Sequence, residues 1–208
     1  MEVITRVETV RGKNIICFES GWRVWLSSSH LPDFSLTEGT LVNRAEFEQF
    51  ILLHQYPSAL EKAVSMLASR PCSKMEISRR LSFHHYDPSV IEMVLYKLEK
   101  EKIINDDEFA EQWVQSRIKK YGPGRIRSEL VLRGINTETI RKLLEVCSEK
   151  EQLSRAVSLA RKKYLAAKPS LARNKLFHQI FDMLIRKGYS VDISKKALDA
   201  VKNEEKTD

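Results

Sequence analysis

Cysteine, proline and glycine are scarce in this chain of 208 residues, which holds 3, 6 and 7 of them. So little Pro and Gly excludes collagen-like and low-complexity chains. Cys17, Cys72 and Cys147 lie far apart, odd in number and without a Cys-x-x-Cys pair. That excludes a zinc ribbon or dithiol redox motif and leaves free buried thiols as the expectation. Long apolar runs are missing too. The longest stretch without a formal charge, Gln49 to Leu60, is 12 residues and contains Pro57, whereas a bilayer span takes ~20 apolar residues. Met1-Glu2-Val3-Ile4-Thr5-Arg6 is no basic start ahead of an apolar segment, so a cytoplasmic chain without a secretory signal is expected. Glycine-rich phosphate loops, the Gly-x-Ser-x-Gly elbow and His-Glu-x-x-His are absent, so no catalyst and no cofactor are expected. His84-His85 is the one histidine pair. Sequence neighbours point to different faces of a helix, so no metal is expected there.

Charge is plentiful and uneven. The net charge is +7. Residues 1–55 are net acidic, 56–104 slightly basic and 105–149 neutral, while residues 150–208 alone carry 14 Lys+Arg against 7 Asp+Glu. Within the neutral segment Asp106, Asp107, Glu108 and Glu111 come first; Arg117, Lys119, Lys120, Arg125, Arg127 and Arg133 follow, opposed only by Glu129. A basic surface from about Arg117 to Lys196 is therefore expected, suited to a polyanion or an acidic protein face. The plainer alternative is a solvated helix face, on which Arg125, Glu129 and Arg133 at i, i+4 spacing add only tenths of a kcal/mol.

The first residues alternate like strands. Val3 to Val10, Asn14 to Phe18 and Trp22 to Leu26, with turn chemistry at Arg11-Gly12-Lys13-Asn14 and Ser20-Gly21, predict a short β-meander. Such a piece is marginal alone and must pack on the rest or pair with something else. Trp22 and Trp25 cannot share one face of a flat strand, so one is exposed or the strand ends between them. From Thr37 the period turns helical: Phe47, Phe50, Ile51 and His54 mark one helix, and Tyr56-Pro57-Ser58 is expected to stop it and start another.

Beyond this a repeat is visible. Ile77, Leu81, Ile91, Val94 and Leu95 recur as Ile126, Leu130, Ile140, Leu143 and Leu144, and Ile126, Leu130, Gly134, Leu143 and Leu144 recur as Ile180, Leu184, Gly188, Ala197 and Leu198. Each copy reads as three helices. Ser73-Lys74-Met75-Glu76 is a capping box and Asp87-Pro88 opens the next helix. Asn105-Asp106 caps, Tyr121-Gly122-Pro123-Gly124 breaks, Gly134 terminates and Asn136 restarts; then Lys168-Pro169-Ser170 breaks, Gly188 terminates and Asp192 caps. Phe109, Trp113, Ile126, Leu130, Phe177, Ile180 and Leu184 are expected as core. The expectation is a mainly α fold: an elongated array of three tandem three-helix repeats preceded by a short N-terminal β-meander. Its divisions are 1–36 (β-rich extension), 37–57 (linking helix), 58–104, 105–149 and 150–208 (the repeats, the last with a polar tail).

Asn105-Asp106-Asp107-Glu108-Phe109-Ala110, Arg117, Gly122-Pro123-Gly124-Arg125-Ile126-Arg127-Ser128-Glu129-Leu130 and Arg133-Gly134-Ile135 resemble the signature of the RecX family, bacterial regulators of RecA recombinase. Arg70-Pro71-Cys72-Ser73 with Glu76 to Leu81, Ala160 to Tyr164 and Leu184 to Tyr189 extend the resemblance over positions 58–201. The β-rich start is similar to the extension of members from Gram-positive-type bacteria. The resemblance implies three tandem three-helix units and a non-enzymatic modulator, acting as an inhibitor. It implies binding in the groove of RecA filaments on single-stranded DNA, restraining ATP hydrolysis, strand exchange and LexA co-cleavage, and with them the SOS response. His84-His85 departs from the Lys-Gly common in the family, so the first repeat is expected to turn differently or bind less. The chain also lacks the additional repeat of some longer relatives, which implies a shorter footprint.

Charge and resemblance together give the expected contact set: Arg117, Lys119, Lys120, Arg125, Arg127, Arg133, Arg161, Lys162, Lys163, Arg173, Lys175, Arg186 and Lys187. The expected partner is the RecA filament on single-stranded DNA, engaged by a monomer, with no membrane involved. A second reading is a direct, non-specific nucleic-acid binder acting without RecA, since three-helix units can place a helix in a groove. No helix carries the Asn, Gln and Arg cluster of base reading, so sequence specificity is not expected. A third, a nuclease with Asp106, Asp107 and Glu108 on a metal, is weaker, because capping and the helix dipole explain those acids.

Overall fold

Three β-branched runs at the start pair as an antiparallel meander, β1 (Glu2–Val10), β2 (Lys13–Phe18) and β3 (Arg23–Ser27). The computed structural model describes residues 1–10, 13–27, 36–145, 147–167 and 173–205. The expected turn at Arg11-Gly12 and the break at Lys168-Pro169-Ser170 lie outside the described residues. A fourth strand, β4 (Leu41–Val42), adds to the free side of β1 in the order β3-β2-β1-β4. This corrects the expectation of helix from Thr37 onward. The backbone of Ile4 sets the pairing, its N–H donating to Thr40 O at 2.9 Å and its carbonyl accepting from Gly39 N–H at 2.8 Å. Those bonds cover part of an edge that would otherwise stand open. β3 begins after Trp22, so the two tryptophans are separated by the strand's start.

The chain divides into two compact units, residues 1–105 and 106–208. In the first unit the sheet packs on α1 (Arg44–Ser69), whose buried residues Phe47, Ile51, Gln55, Ala59 and Ala63 fall on every fourth position. Phe47 and Ile51 meet Ile4, Ile16, Val24 and Leu26 in one core that continues into Ile77, Leu81, Val90 and Val94. Each such fully buried aliphatic or aromatic side chain is worth about 1.5–3 kcal/mol of transfer free energy. The sheet is therefore a wall of the first repeat's core. Tyr56-Pro57-Ser58 does not stop the helix, contrary to expectation. Proline deprives the Leu53 carbonyl of its donor. Leu53 is 70% exposed, on the solvent side of the helix, where water can take the place of the lost donor.

Gln55 is 1% exposed and joins three elements. Its Nε2 donates to Trp25 O of β3 at 2.8 Å, and its Oε1 accepts from Asp87 N–H at 2.8 Å. Asp87 caps α3 (Pro88–Lys100) through the Ser89 N–H, and its other oxygen accepts from Trp22 Nε1 at 2.9 Å. Between them α2 (Lys74–Phe83) starts with the expected Ser73–Glu76 capping box.

The second unit holds α4 (Asp106–Arg117), α5 (Pro123–Val131), α6 (Thr137–Glu145), α7 (Glu149–Leu165), α8 (Arg173–Arg186) and α9 (Val191–Glu205). Phe109, Ala110, Ile126, Leu130 and Ile140 form one core, and Ala156, Ala160, Phe177, Ile180, Leu184 and Ala197 another. α9 is capped by Ser190, whose Oγ accepts from Ile193 N–H at 3.2 Å. The expected cap, Asp192, instead sits in the first turn and pairs with Lys196 at 2.9 Å.

The second helix of each repeat ends alike. Tyr86, Ile135 and Tyr189 N–H donate to Leu81, Leu130 and Leu184 O at 3.3, 3.1 and 3.2 Å, six-residue closures across a left-handed residue. That residue is His85 (φ 63°), Gly134 (φ 78°) and Gly188 (φ 88°). The first repeat therefore turns as the others do, against expectation, with His85 held in a backbone region suited to glycine.

Candidate interaction surface

Gly122 and Ser73 are both N-caps, at matching places in successive repeats. Ser73 spends its side chain on its own helix; Gly122 has no side chain to spend. Its N–H instead donates to Lys187 O at 2.7 Å, and Gly124 N–H donates to Gly188 O at 3.0 Å. A Cβ on Gly122 would lie 2.6 Å from the Gly188 carbonyl, and one on Gly188 2.2 Å from Arg125 N. The second and third repeats thus meet backbone to backbone, at a distance only glycine permits. This seam brings the end of α8 beside the start of α5.

Around the seam, cations gather on two aromatic rings. Arg133 and Arg117 place their guanidiniums 3.7 and 4.4 Å from the ring centre of Trp113. Arg125 and Lys187 lie 4.4 and 5.1 Å from that of Tyr121, and Arg117 also reaches it at 5.8 Å. All are within the ~6 Å range in which a ring face attracts a cation. Lys187 Nζ additionally donates to Lys120 O at 3.2 Å.

One carboxylate organises the group. Glu129 accepts from Trp113 Nε1 at 3.1 Å and Arg125 Nε at 3.1 Å, and pairs with Arg117 Nε at 3.4 Å. Its backbone carbonyl accepts from Arg133 at 2.8 Å. Four cations, Arg117, Arg125, Arg133 and Lys187, face this single acid, leaving a strongly positive patch with flat guanidinium and ring surfaces. Arg125 sits in the first turn of α5, where the helix dipole disfavours a cation.

Trp113 is half-buried, which corrects its expected place in the core. It lies against that core and forms the floor of the patch. Tyr121, read only as part of a break, is the residue that sequence reasoning missed; the expected i, i+4 pairing of Arg125 with Glu129 is present, but the bond from Trp113 Nε1 to Glu129 was not anticipated. The aromatic spacing beside Arg117 and Arg125 was the available signal.

The other expected residues are placed differently. Arg161 forms a two-armed pair with Glu204 between α7 and α9, its Nε donating to Oε2 at 2.9 Å. The partnership raises the Arg161 pKa and holds the Glu204 carboxyl below its ordinary value, the hydrogen bond being the main cause in each. Lys162 and Lys163 are exposed in the last turn of α7, and Arg173 and Lys175 in the first turn of α8. Lys119, Lys120, Arg127 and Arg186 are exposed near the cluster in sequence. Asp106, Asp107 and Glu108 occupy the first turn of α4, where Asp107 accepts from Thr139 at 2.9 Å. Among the described residues no group of three or more His, Cys, Asp or Glu could hold a metal ion, and no helix is long and apolar enough to cross a membrane.

Residues 105–144, which carry most of this surface, match the family model "RecX, second three-helix domain". A regulatory protein RecX from Listeria welshimeri is 34% identical over 169 residues, covering 80% of this chain and 62% of the relative. The chain thus spans less than two thirds of that relative's length. A regulatory protein RecX from Clostridioides difficile is 28% identical over 172 residues, 82% of this chain and 80% of the relative. A crystal structure of a regulatory protein RecX shares the fold with a TM-score of 0.63 at 21% identity, over 96% of this chain and 100% of that one. RecX from Lactobacillus salivarius aligns with a TM-score of 0.59 at 22% identity, over 71% of this chain and 96% of that one. The repeat architecture, the recurring turns and the matched second repeat agree in making the chain similar to the regulatory proteins of the RecX family.

Proposed function

We propose that this chain is a non-enzymatic, cytoplasmic modulator of RecA that binds RecA filaments on single-stranded DNA and inhibits them. The carrying observation is the patch of Arg117, Arg125, Arg133 and Lys187 on Trp113 and Tyr121. Stacked guanidiniums suit both phosphate and carboxylate partners. Arg125 stands against its helix dipole, a cost that its pairing with Glu129 on the same helix offsets in part. Exposed Lys119, Lys120, Arg127, Lys162, Lys163, Arg173, Lys175 and Arg186 extend the contact set, and Arg161 contributes mainly by fastening α7 to α9.

The test is the single-stranded-DNA-dependent ATPase rate of preformed RecA filaments, with this chain titrated well below the RecA concentration and the series repeated in excess free DNA. Inhibition that survives the added DNA is expected. Inhibition that vanishes when DNA is added would favour a general nucleic-acid binder instead. Reversing Lys119, Lys120, Arg127, Lys162 and Lys163 to Glu together should abolish inhibition while circular dichroism keeps its helical signal. Unchanged inhibition would sink the basic-face reading.

A further inference from the structure

A second basic and aromatic feature lies in the first unit, where the end of α1 meets α2. A groove of about 470 Å³ is lined there by Arg70, Glu76, Arg79, Arg80 and Phe83, with Met66 at one side. Arg79, Arg80 and Phe83 are spaced three and four residues apart, on one face of α2. Phe83 is 71% exposed, and the Arg80 guanidinium lies 5.8 Å from its ring centre.

An aromatic ring this open at the end of a helix contributes little to folding. The core of its repeat is closed by Ile77 and Leu81 on the opposite face, each 0% exposed. Glu76 is the one acid among the lining residues. Arg70 at 3.1 Å and the Ser73 N–H at 3.3 Å bond to it, and three arginines, Arg70, Arg79 and Arg80, against this one acid leave the groove net positive.

We infer that this groove is a binding site for a single nucleic-acid strand, with a base stacked on Phe83 and the adjoining phosphates on Arg79 and Arg80. A positive track beside an open aromatic face is the arrangement by which proteins hold single strands without reading their sequence. Duplex DNA offers no free base face, so the site discriminates strand state through Phe83 and charge through the arginines. The inference goes beyond the proposed RecA reading and does not depend on it.

The experiment is fluorescence anisotropy of a labelled oligothymidylate of roughly 12 nucleotides, within the ~4–16 that single-strand sites span, against the full chain at low salt and without RecA. A duplex of the same length runs in parallel. Phe83→Ala should weaken single-strand binding at least about fivefold, the lower end of what losing one base–aromatic stack removes. It should leave duplex binding unchanged, and Phe83→Tyr should keep the wild-type value. Arg79→Ala with Arg80→Ala should weaken both and flatten the single-strand salt slope by about 0.7 per cation removed from a phosphate. Thermal melting of Phe83→Ala should match the wild type. No binding by the wild type, an unchanged single-strand affinity in Phe83→Ala, or equal losses on single strand and duplex would each overturn the inference. So would competition by polyglutamate as strong as by the unlabelled strand, which would reduce the groove to a plain cationic patch.

Discussion

The guanidinium of Arg133 lies 3.7 Å from the ring centre of Trp113, and the indole N–H on the same ring donates to Glu129. Cation, ring and acid form one stack, in which Glu129 holds the floor in place and offsets part of the charge above it.

Replacing that acid separates the two tasks. Glu129→Gln keeps an acceptor for Trp113 and removes the charge facing Arg117 and Arg125. We expect a loss of about 1 kcal/mol in urea unfolding, near the typical worth of a hydrogen bond. Affinity for RecA filaments, read as the concentration that half-inhibits their ATPase, should rise about 1.4- to fivefold, the span corresponding to the ~0.2–1 kcal/mol of a screened ion pair. A fall in affinity at unchanged helical content would mean that the patch does not face the filament.

Gly188 tests the seam. Gly188→Ala meets both a positive φ and Arg125 N at 2.2 Å, whereas Gly21→Ala meets a positive φ with open space around it. The left-handed backbone alone costs roughly 1–2 kcal/mol for a residue with a Cβ. Gly21→Ala should lose about that much and Gly188→Ala clearly more, measured by chemical denaturation. Equal losses would show that the second and third repeats do not depend on the close approach.

His85 offers the opposite change. His85→Gly relieves the left-handed backbone, and part of the gain is returned as unfolded-chain entropy, so stabilisation of up to about 1 kcal/mol is expected. A lower melting temperature would show that the imidazole contributes contacts outweighing its strain.

The pair joining α7 to α9 is sensitive to acid. Glu204 titrates below its ordinary value because Arg161 donates to it. A carboxylate so shifted contributes stability that is present above its unfolded pKa and lost as pH falls through the folded one. Arg161→Gln should therefore lower the melting temperature slightly at pH 7, with the difference from wild type closing as pH drops below 4.5, the ordinary value for Glu. A difference that persists at low pH would assign the effect to packing by the Arg161 stem.

Much of the fold was legible because periodicity reports burial. Ile77, Leu81, Ile126, Leu130, Ile180 and Leu184 were found by spacing, and all are 0% exposed. What escaped depends on partners distant in sequence. Pro57 reads locally as a break, yet α1 passes through it because the sheet and α3 hold the helix on both sides through Gln55. Leu41–Val42 is too short to announce a strand and exists because β1 has an edge to fill. Of the basic residues, charge alone could not separate the four on Trp113 and Tyr121 from Arg161, which has a private partner. Helical spacing tells that Trp113 turns toward the core, against which it packs, and says nothing of how far from the centre of that face a large ring sits.

The shared core of the sheet and α1 sets an order of events during synthesis. The three strands of the meander are complete by Ser27, but their inner residues Ile4, Ile16, Val24 and Leu26 have no cover until α1 has emerged past Phe47 and Ile51. The bonds that tie β3 to the rest wait for Gln55 and Asp87. A nascent chain arrested before α1 leaves the ribosome would carry a bare apolar sheet face, the kind of surface that chaperones hold and that aggregates when they do not.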